Sequence, residues 1–227
     1  MINPMELTGK RILFIGDSSS LDNAITERLQ ALGGSVTISS SLAINDVEST
    51  LKDLAKNKGP FDGIVYGVVH SDFKPLQFVK PQLIDSLMHD NYGLFIEVMR
   101  VLKKSRAIAN GASIVAMSSI SSIRAMKAKM AFCSSKAALD AAVRCLAVEL
   151  GDKGIRINSI QKGGVDADLE KSHIQDVTAI NENATEKKQI LGLTRAVEVA
   201  NLVAFLLSDA ATTITGTSIV IDGGYTL

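Results

Sequence analysis

Apolar residues fall along the chain in short runs separated by longer stretches with helical spacing. "RILFIG" (Arg11–Gly16), "SVTIS" (Ser35–Ser39), "GIVYGVV" (Gly63–Val69), "SIVAMS" (Ser113–Ser118), "RINSI" (Arg156–Ile160) and "SIVID" (Ser218–Asp222) are rich in β-branched residues, as buried strands are. Between them the periodicity predicts helices over Leu21–Leu32, Asp46–Lys56, Pro81–Leu102, Phe132–Leu150 and Ala196–Leu207. Gly33 and Gly34 end the first, Asn45 or Asp46 caps the second, and Leu139, Val143, Leu146 and Leu150 share a face of the fourth. Strands alternating with crossover helices imply a parallel sheet. The interval from Ser40 to Pro60 holds one helix and at most a stub of strand at Leu42–Ile44, too little for a full strand with its own crossover. The expected fold is therefore α/β: one domain over residues 1–227, a doubly wound parallel sheet of six or seven strands, shortened between the second strand and the central one. Polar, irregular sequence over 163–191 reads as a mobile substrate flap. Ligands of such sheets bind beyond the carboxyl ends of the strands, so the residues just after each strand are the ones to examine.

Composition narrows the partners. Of 227 residues, 46% are hydrophobic, while 24 Lys and Arg balance 24 Asp and Glu, so no net field draws the chain to nucleic acid or an anionic membrane. A small molecule is the expected ligand. No apolar run reaches the roughly 18 residues of a membrane span, and "MINPMELTGK" has neither a basic nor a hydrophobic leader segment. Cys133 and Cys145 lie about 18 Å apart along one helix at 1.5 Å per residue, beyond disulfide reach. These features suggest a cytoplasmic protein in a reducing compartment.

Two stretches carry candidate chemistry. The turn after the first strand, "GDSSSLDNA", has Gly16 where a pyrophosphate needs close backbone approach, with Ser18, Ser19 and Ser20 as donors. Asp22 puts a carboxylate in the first helical turn, which suits the helix dipole and repels a phosphate. An ordinary capped turn accounts for this stretch equally well. In "MAFCSSKAAL", Phe132 and Lys136 stand four apart and share a helix face. A tyrosine at 132 would complete a proton-transfer pair; here the ring is present without its hydroxyl.

With these residues the chain resembles the short-chain dehydrogenase/reductase family across nearly all of its length. "NYGLF" with Asn91 is similar to the family's catalytic-asparagine helix, and "SIVAMSS" to the strand ending in its catalytic serine, Ser119. The interval from Ser119 to Phe132 equals the family's serine-to-tyrosine spacing. "SSKAALDAAVRCLAVELGDKGIRINSI" and "LTRAVEVANLVAFLLSDAATTITGTSIVIDGG" resemble the active-site helix and the C-terminal portion, the latter also resembling 3-oxoacyl and enoyl acyl-carrier-protein reductases. The resemblance implies a Rossmann-type fold, an oxidoreductase, NADP or NAD as cofactor, a small carbonyl or acyl substrate, and a homo-oligomer (dimer or tetramer). It carries the catalytic positions onto Asn91, Ser119, Phe132 and Lys136, and cofactor contacts onto Gly16, Ser18, Ser19, Leu21, Ser41 and Lys136. In the family a lysine ammonium lowers the pKa of the tyrosine, which is the general acid; the serine polarises the carbonyl and the asparagine holds a relay water.

Departures cluster on the cofactor side. TGxxxGxG becomes IGDSSSLD, with Ser20 and Asp22 for two glycines. Ser39, Ser40 and Ser41 supply neither the acid expected for NAD nor the base expected for NADP. NNAG becomes Tyr66-Gly67-Val68-Val69, Lys162 replaces a proline, and Ala167 a threonine. Together these changes point to weakened or lost dinucleotide binding. Two functions stay open: an oxidoreductase with nonstandard proton transfer, and a catalytically silent binding or assembly subunit. Tyr66 and, better, His70 are candidate surrogate acids. Lys127 and Lys129 read as solvated charges.

Overall fold

Strand β1 (Arg11–Gly16) lies between β2 (Ser35–Ser40) and β3 (Phe61–Tyr66), followed across the sheet by β4 (Ile108–Ser119), β5 (Arg156–Lys162) and, at the far edge, Ser218–Ile221. All neighbouring pairs run parallel. The computed structural model describes residues 3–40, 46–166 and 189–227. The stub expected at Leu42–Ile44, the cap at Asn45 and most of the expected flap lie outside them. β6 (Val165–Asp166) and β7 (Thr194–Arg195) pair as a separate two-stranded ribbon, and the edge strand is thus β8. Six strands form the main sheet among the described residues, its order turning at β1 and β3. Among the described residues one helix, α2 (Val47–Lys58), lies between β2 and β3.

The sheet separates two cores because side chains alternate along each strand. Ile114 and Ala116 face α2, α4 (Leu94–Lys104) and α5 (Met130–Leu150), which contribute Leu51, Val98, Leu139 and Val143. Val115 and Met117 face α1 (Ser20–Ala31) and α6 (Ala196–Leu207), which contribute Ile25, Leu29, Val199 and Val203. Buried Arg156 donates to the carbonyls of Leu206 and Ser208 at 2.9 and 3.1 Å, fixing the C-terminal end of α6 to β5.

Two elements differ from the sequence expectation. The predicted helix Pro81–Leu102 is α3 (Pro81–Met88), a π-helical turn over His89–Gly93, then α4. One extra residue per turn rotates Asn91 inward, where it is fully buried. The Asp46 side chain makes no capping hydrogen bond to α2. Among the described residues, no helix is long and apolar enough to cross a membrane. Cys133 and Cys145, both on α5, are free thiols.

Candidate functional site

The turn joining β1 to α1 closes around its own carboxylate. Ser19 caps α1: its hydroxyl accepts from the Asp22 amide at 3.1 Å, and Asp22 Oδ2 accepts in return from the amides of Ser19 and Asp17, both at 3.1 Å. Asp22 is 6% exposed, and burial pushes its carboxyl above the usual range against the pull of those hydrogen bonds. Gly16 ends β1 with no room for a side chain, since a Cβ would lie 2.6 Å from the Phe14 ring and 3.0 Å from Asp22 Oδ2. Gly16→Ala is expected to destabilise the fold by about 1–3 kcal/mol, read as a fall of several degrees in melting temperature. Leu21 is buried in the α1 core, and Ser18 is exposed with φ of 61°, a left-handed conformation uncommon for serine. Ser41 lies outside the described residues.

This geometry bears on dinucleotide binding. A pyrophosphate at such a turn is held by backbone amides at the helix N-terminus. Here two of the turn's amides already serve a carboxylate, and that carboxylate sits under the place a second anion would occupy. The Asp17 and Ser19 amides are thereby taken, and the carboxylate opposes a second anion at this turn. The sequence shows the Asp22 charge; its inward aim emerges only once the capping box closes.

At the end of β3 the π turn and the following loop are tied together. Asn91 Nδ2 donates to the carbonyls of His70 and Leu87 at 2.7 and 3.1 Å, and its Oδ1 accepts from the His70 amide at 3.0 Å. Its side chain is thereby occupied. His70 is half-exposed, with Nδ1 3.4 Å from Asp90 Oδ2 and Nε2 3.8 Å from Asp17 Oδ2. Tyr66 is fully buried, stacks beside Phe95 at 5.2 Å between centroids and donates its hydroxyl to the Asp90 carbonyl at 3.1 Å. Burial, reinforced by the carboxylates of Asp17 and Asp90, holds that phenol above its ordinary pKa. That environment leaves Tyr66 unsuited to donate or accept a proton near neutrality.

The ends of β4 and β5 and the start of α5 form the remaining wall. Ser119 Oγ donates to Ser121 Oγ and accepts from the Ser121 amide, both at 3.1 Å. Ser118, one residue earlier, has a buried hydroxyl with no hydrogen-bond partner among the described residues. Phe132 is 4% exposed. Lys136, fully buried, donates to the Met117 carbonyl at 3.2 Å, and its Nζ lies 5.9 Å from the Phe132 ring centroid. Lys129, expected in solvent, instead packs its ammonium 4.0 Å from the Phe73 ring centroid and 5.3 Å from that of Phe132. Lys127 is exposed, as its charge suggests. Lys162, 9% exposed, stands opposite Ser119 in the β4–β5 register.

Burial pushes all three of these ammonium groups down: Lys136 to about 7, aided by the charge of Lys162; Lys162 to about 8, aided by Lys129; and Lys129 to about 8. Asp140, one turn after Lys136, opposes the shift, but its carboxylate already accepts from Ser159 Oγ and Gln161 Nε2, both at 2.7 Å. Sequence spacing places Asp140 on the Lys136 face of α5 and Ser159 and Gln161 on one face of β5. That pattern could have disclosed the network; the convergence of Lys129 and Lys162 leaves no such periodic trace.

A family profile described as enoyl-(acyl carrier protein) reductase matches residues 8–226. Enoyl-[acyl-carrier-protein] reductase [NADH] FabI of Neisseria meningitidis serogroup B is 26% identical over 227 aligned positions, covering 96% of this chain and 85% of that one. D-erythrulose reductase of Gallus gallus is 28% identical, with 97% of each chain covered. Over a 113-residue stretch, 50% of this chain and 45% of the other, L-xylulose reductase of Caenorhabditis elegans is 39% identical. The FabI–NADH complex from Alistipes finegoldii superposes with a TM-score of 0.87 over 99% of this chain and 90% of that one, at 20% identity, a likeness of fold. The chain belongs to the short-chain dehydrogenase/reductase family, a class of oxidoreductases, and has its Rossmann-type fold.

Proposed function

We propose that this chain is a short-chain dehydrogenase/reductase-type protein that binds a small carbonyl or acyl compound without reducing it by the family's tyrosine route. It acts as a catalytically silent binding or assembly subunit, in a homo-oligomer. The carrying observation is the Asp22 carboxylate on the amides of Asp17 and Ser19, at 3.1 Å each. Phe132 supplies no proton, the Asn91 side chain is tied to the backbone, and Lys136 reaches a strand carbonyl. The ends of β4 and β5, with Ser119, lie at the carboxyl edge of the sheet, where ligands of this architecture bind. Titration with NADPH and with NADH to millimolar concentration is expected to show no saturable binding. Saturable binding, together with reduction of a carbonyl compound that Lys136→Ala abolishes, would overturn the proposal.

A second reading keeps hydride transfer, with NADP or NAD as the carrier and His70 as proton donor. The observation favouring it is the placing of that imidazole between Asp17 and Asp90, half-exposed beyond the end of β3. The Neisseria relative also carries NADH in its name. This reading requires turnover that His70→Asn removes while the fold, followed by circular dichroism, is unchanged.

A further inference from the structure

The amino edge of the sheet, at the other end of the strands from Tyr66 and Ser119, carries a cleft of about 320 Å³. It opens where β3, β4 and β5 begin, and Pro60, Ile108 and Ile155 supply its apolar lining. Three cations enter it from different segments. Lys103 comes from the last turn of α4, Arg106 from the turn that follows, and Lys153 from the 3₁₀ turn Gly151–Lys153 after α5. Asn110, the third residue of β4, adds an amide. Among the described residues no acid lines the cleft, and none of these three cations makes an ion pair. Cations nearby do: Arg100 holds Glu97 and Glu48 at 2.6 and 3.3 Å, and Lys52 holds Glu48 at 2.6 Å.

Helix-end chemistry does not account for Arg106. The C-terminus of α4 is closed by its own backbone, since the Ala107 amide donates to the Leu102 carbonyl at 2.9 Å and the Arg106 amide to the Lys103 carbonyl at 3.1 Å. That pair of bonds puts Arg106 in the left-handed region, with φ of 54°, where glycine is the residue without strain. A side chain therefore stands there at a cost to folding. Its guanidinium makes no hydrogen bond or ion pair among the described residues. The dipole of α4 favours cations in its last turn, and Lys103 and Lys104 already supply them.

We propose that this cleft binds a small aliphatic phosphate monoester. A tetrahedral dianion presents oxygens to donors arriving from several sides, and a guanidinium takes two of them at once. The apolar lining receives the alkyl body. No aromatic ring lines the cleft among the described residues, so a nucleotide base has nothing to stack on. At about 320 Å³ the space is at the small end of ligand sites. The site goes beyond the reading above and does not depend on whether the turn at Asp22 admits a dinucleotide.

The test is calorimetric titration of the full chain at pH 7.5 with n-butyl phosphate, inorganic phosphate, butyrate and n-butanol. Butyl phosphate is expected to saturate in the millimolar range or below, binding about 10-fold more tightly than inorganic phosphate or butyrate. Butanol gives no saturable heat. Arg106→Gly and Lys153→Gln each weaken butyl phosphate about 10-fold. Arg106→Gly leaves the melting temperature of the free chain equal or higher, because glycine suits that turn, so its lost affinity is not lost fold. Lys153→Gln repeats the measurement on an exposed turn. Lys104→Gln, at an exposed neighbour outside the cleft, leaves the affinity unchanged and so separates a site from general positive charge. The inference is overturned by no saturable binding of butyl phosphate, by inorganic phosphate or butyrate binding as tightly as the ester, or by affinity undiminished in both cleft variants. Equal weakening by Lys104→Gln and the cleft variants overturns it as well.

Discussion

Phe132→Tyr alone is expected to leave NADPH-dependent reduction of small carbonyl compounds at the rate of the unaltered chain, whereas Phe132→Tyr combined with Asp22→Gly raises it by about 10²- to 10⁴-fold. That range is what a positioned acid contributes once its partners are in place. The order of the two effects follows from the site. A phenol at position 132 would stand one helical turn from Lys136, but it has nothing to protonate until a hydride carrier is bound. The turn that should bind the carrier has its Asp17 and Ser19 amides closed onto Asp22. Removing that carboxylate frees both donors and takes away the negative charge beneath them. It also removes half of the capping box, at a cost of about 1 kcal/mol, which a melting curve will show. The phenol is further handicapped because Lys136, at about 7, is only partly charged at neutrality and gives less of the positive field that would acidify it. Stopped-flow absorbance at 340 nm for the two single variants and the pair separates these contributions. A 100-fold gain from Phe132→Tyr by itself would show that the first turn is no obstacle.

Much of this architecture can be read from the chain before any coordinates. Buried parallel strands are continuous apolar runs, so β1, β3 and β4 stand out, and the short interval after Ser40 leaves room for one crossover helix; among the described residues the sheet order ends in β2. The turn in α3–α4 was hidden because a π turn inserts one residue without changing the apolar composition around His89–Gly93. β4 begins earlier than its continuous apolar core: Ile108 and Ala109 are only partly buried and Asn110 and Gly111 are exposed, yet all four continue the strand. For the site, the identities were legible and the directions were not. Phe132 and Asp22 each announce a departure from the family pattern, and Lys136 a position that is kept. Whether a lysine reaches water or an aromatic ring depends on what the loop before α5 does, and Lys127 and Lys129 have the same charge and nearly the same address. Only Lys129 is turned against Phe73. Lys162 reads as a lost proline until its register opposite Ser119 is known.

The buried ammonium groups also fix how stability responds to pH. Lys136 binds its proton less tightly in the folded chain, at about 7, than in the unfolded chain, near the ordinary lysine value of 10.5. Between those two values the unfolded state holds more protons, so stability rises as pH rises; below about 7 the lysine is charged in both states and the folded state bears the burial cost. At about 1.4 kcal/mol per unit, the gain from Lys136 between pH 6 and pH 9 is on the order of 3 kcal/mol. Lys162, held at about 8 by burial and by Lys129, pushes in the same direction. Urea unfolding of the unaltered chain and of Lys136→Met at the two pH values isolates the contribution. The expected result is an unfolding free energy that climbs with pH in the unaltered chain and climbs less, by about 3 kcal/mol, in the variant. The variant should be no less stable at pH 6, because methionine fills a similar volume and brings no charge into the wall beside Phe132. Equal slopes in the two proteins would place the Lys136 ammonium in contact with water or with an acid.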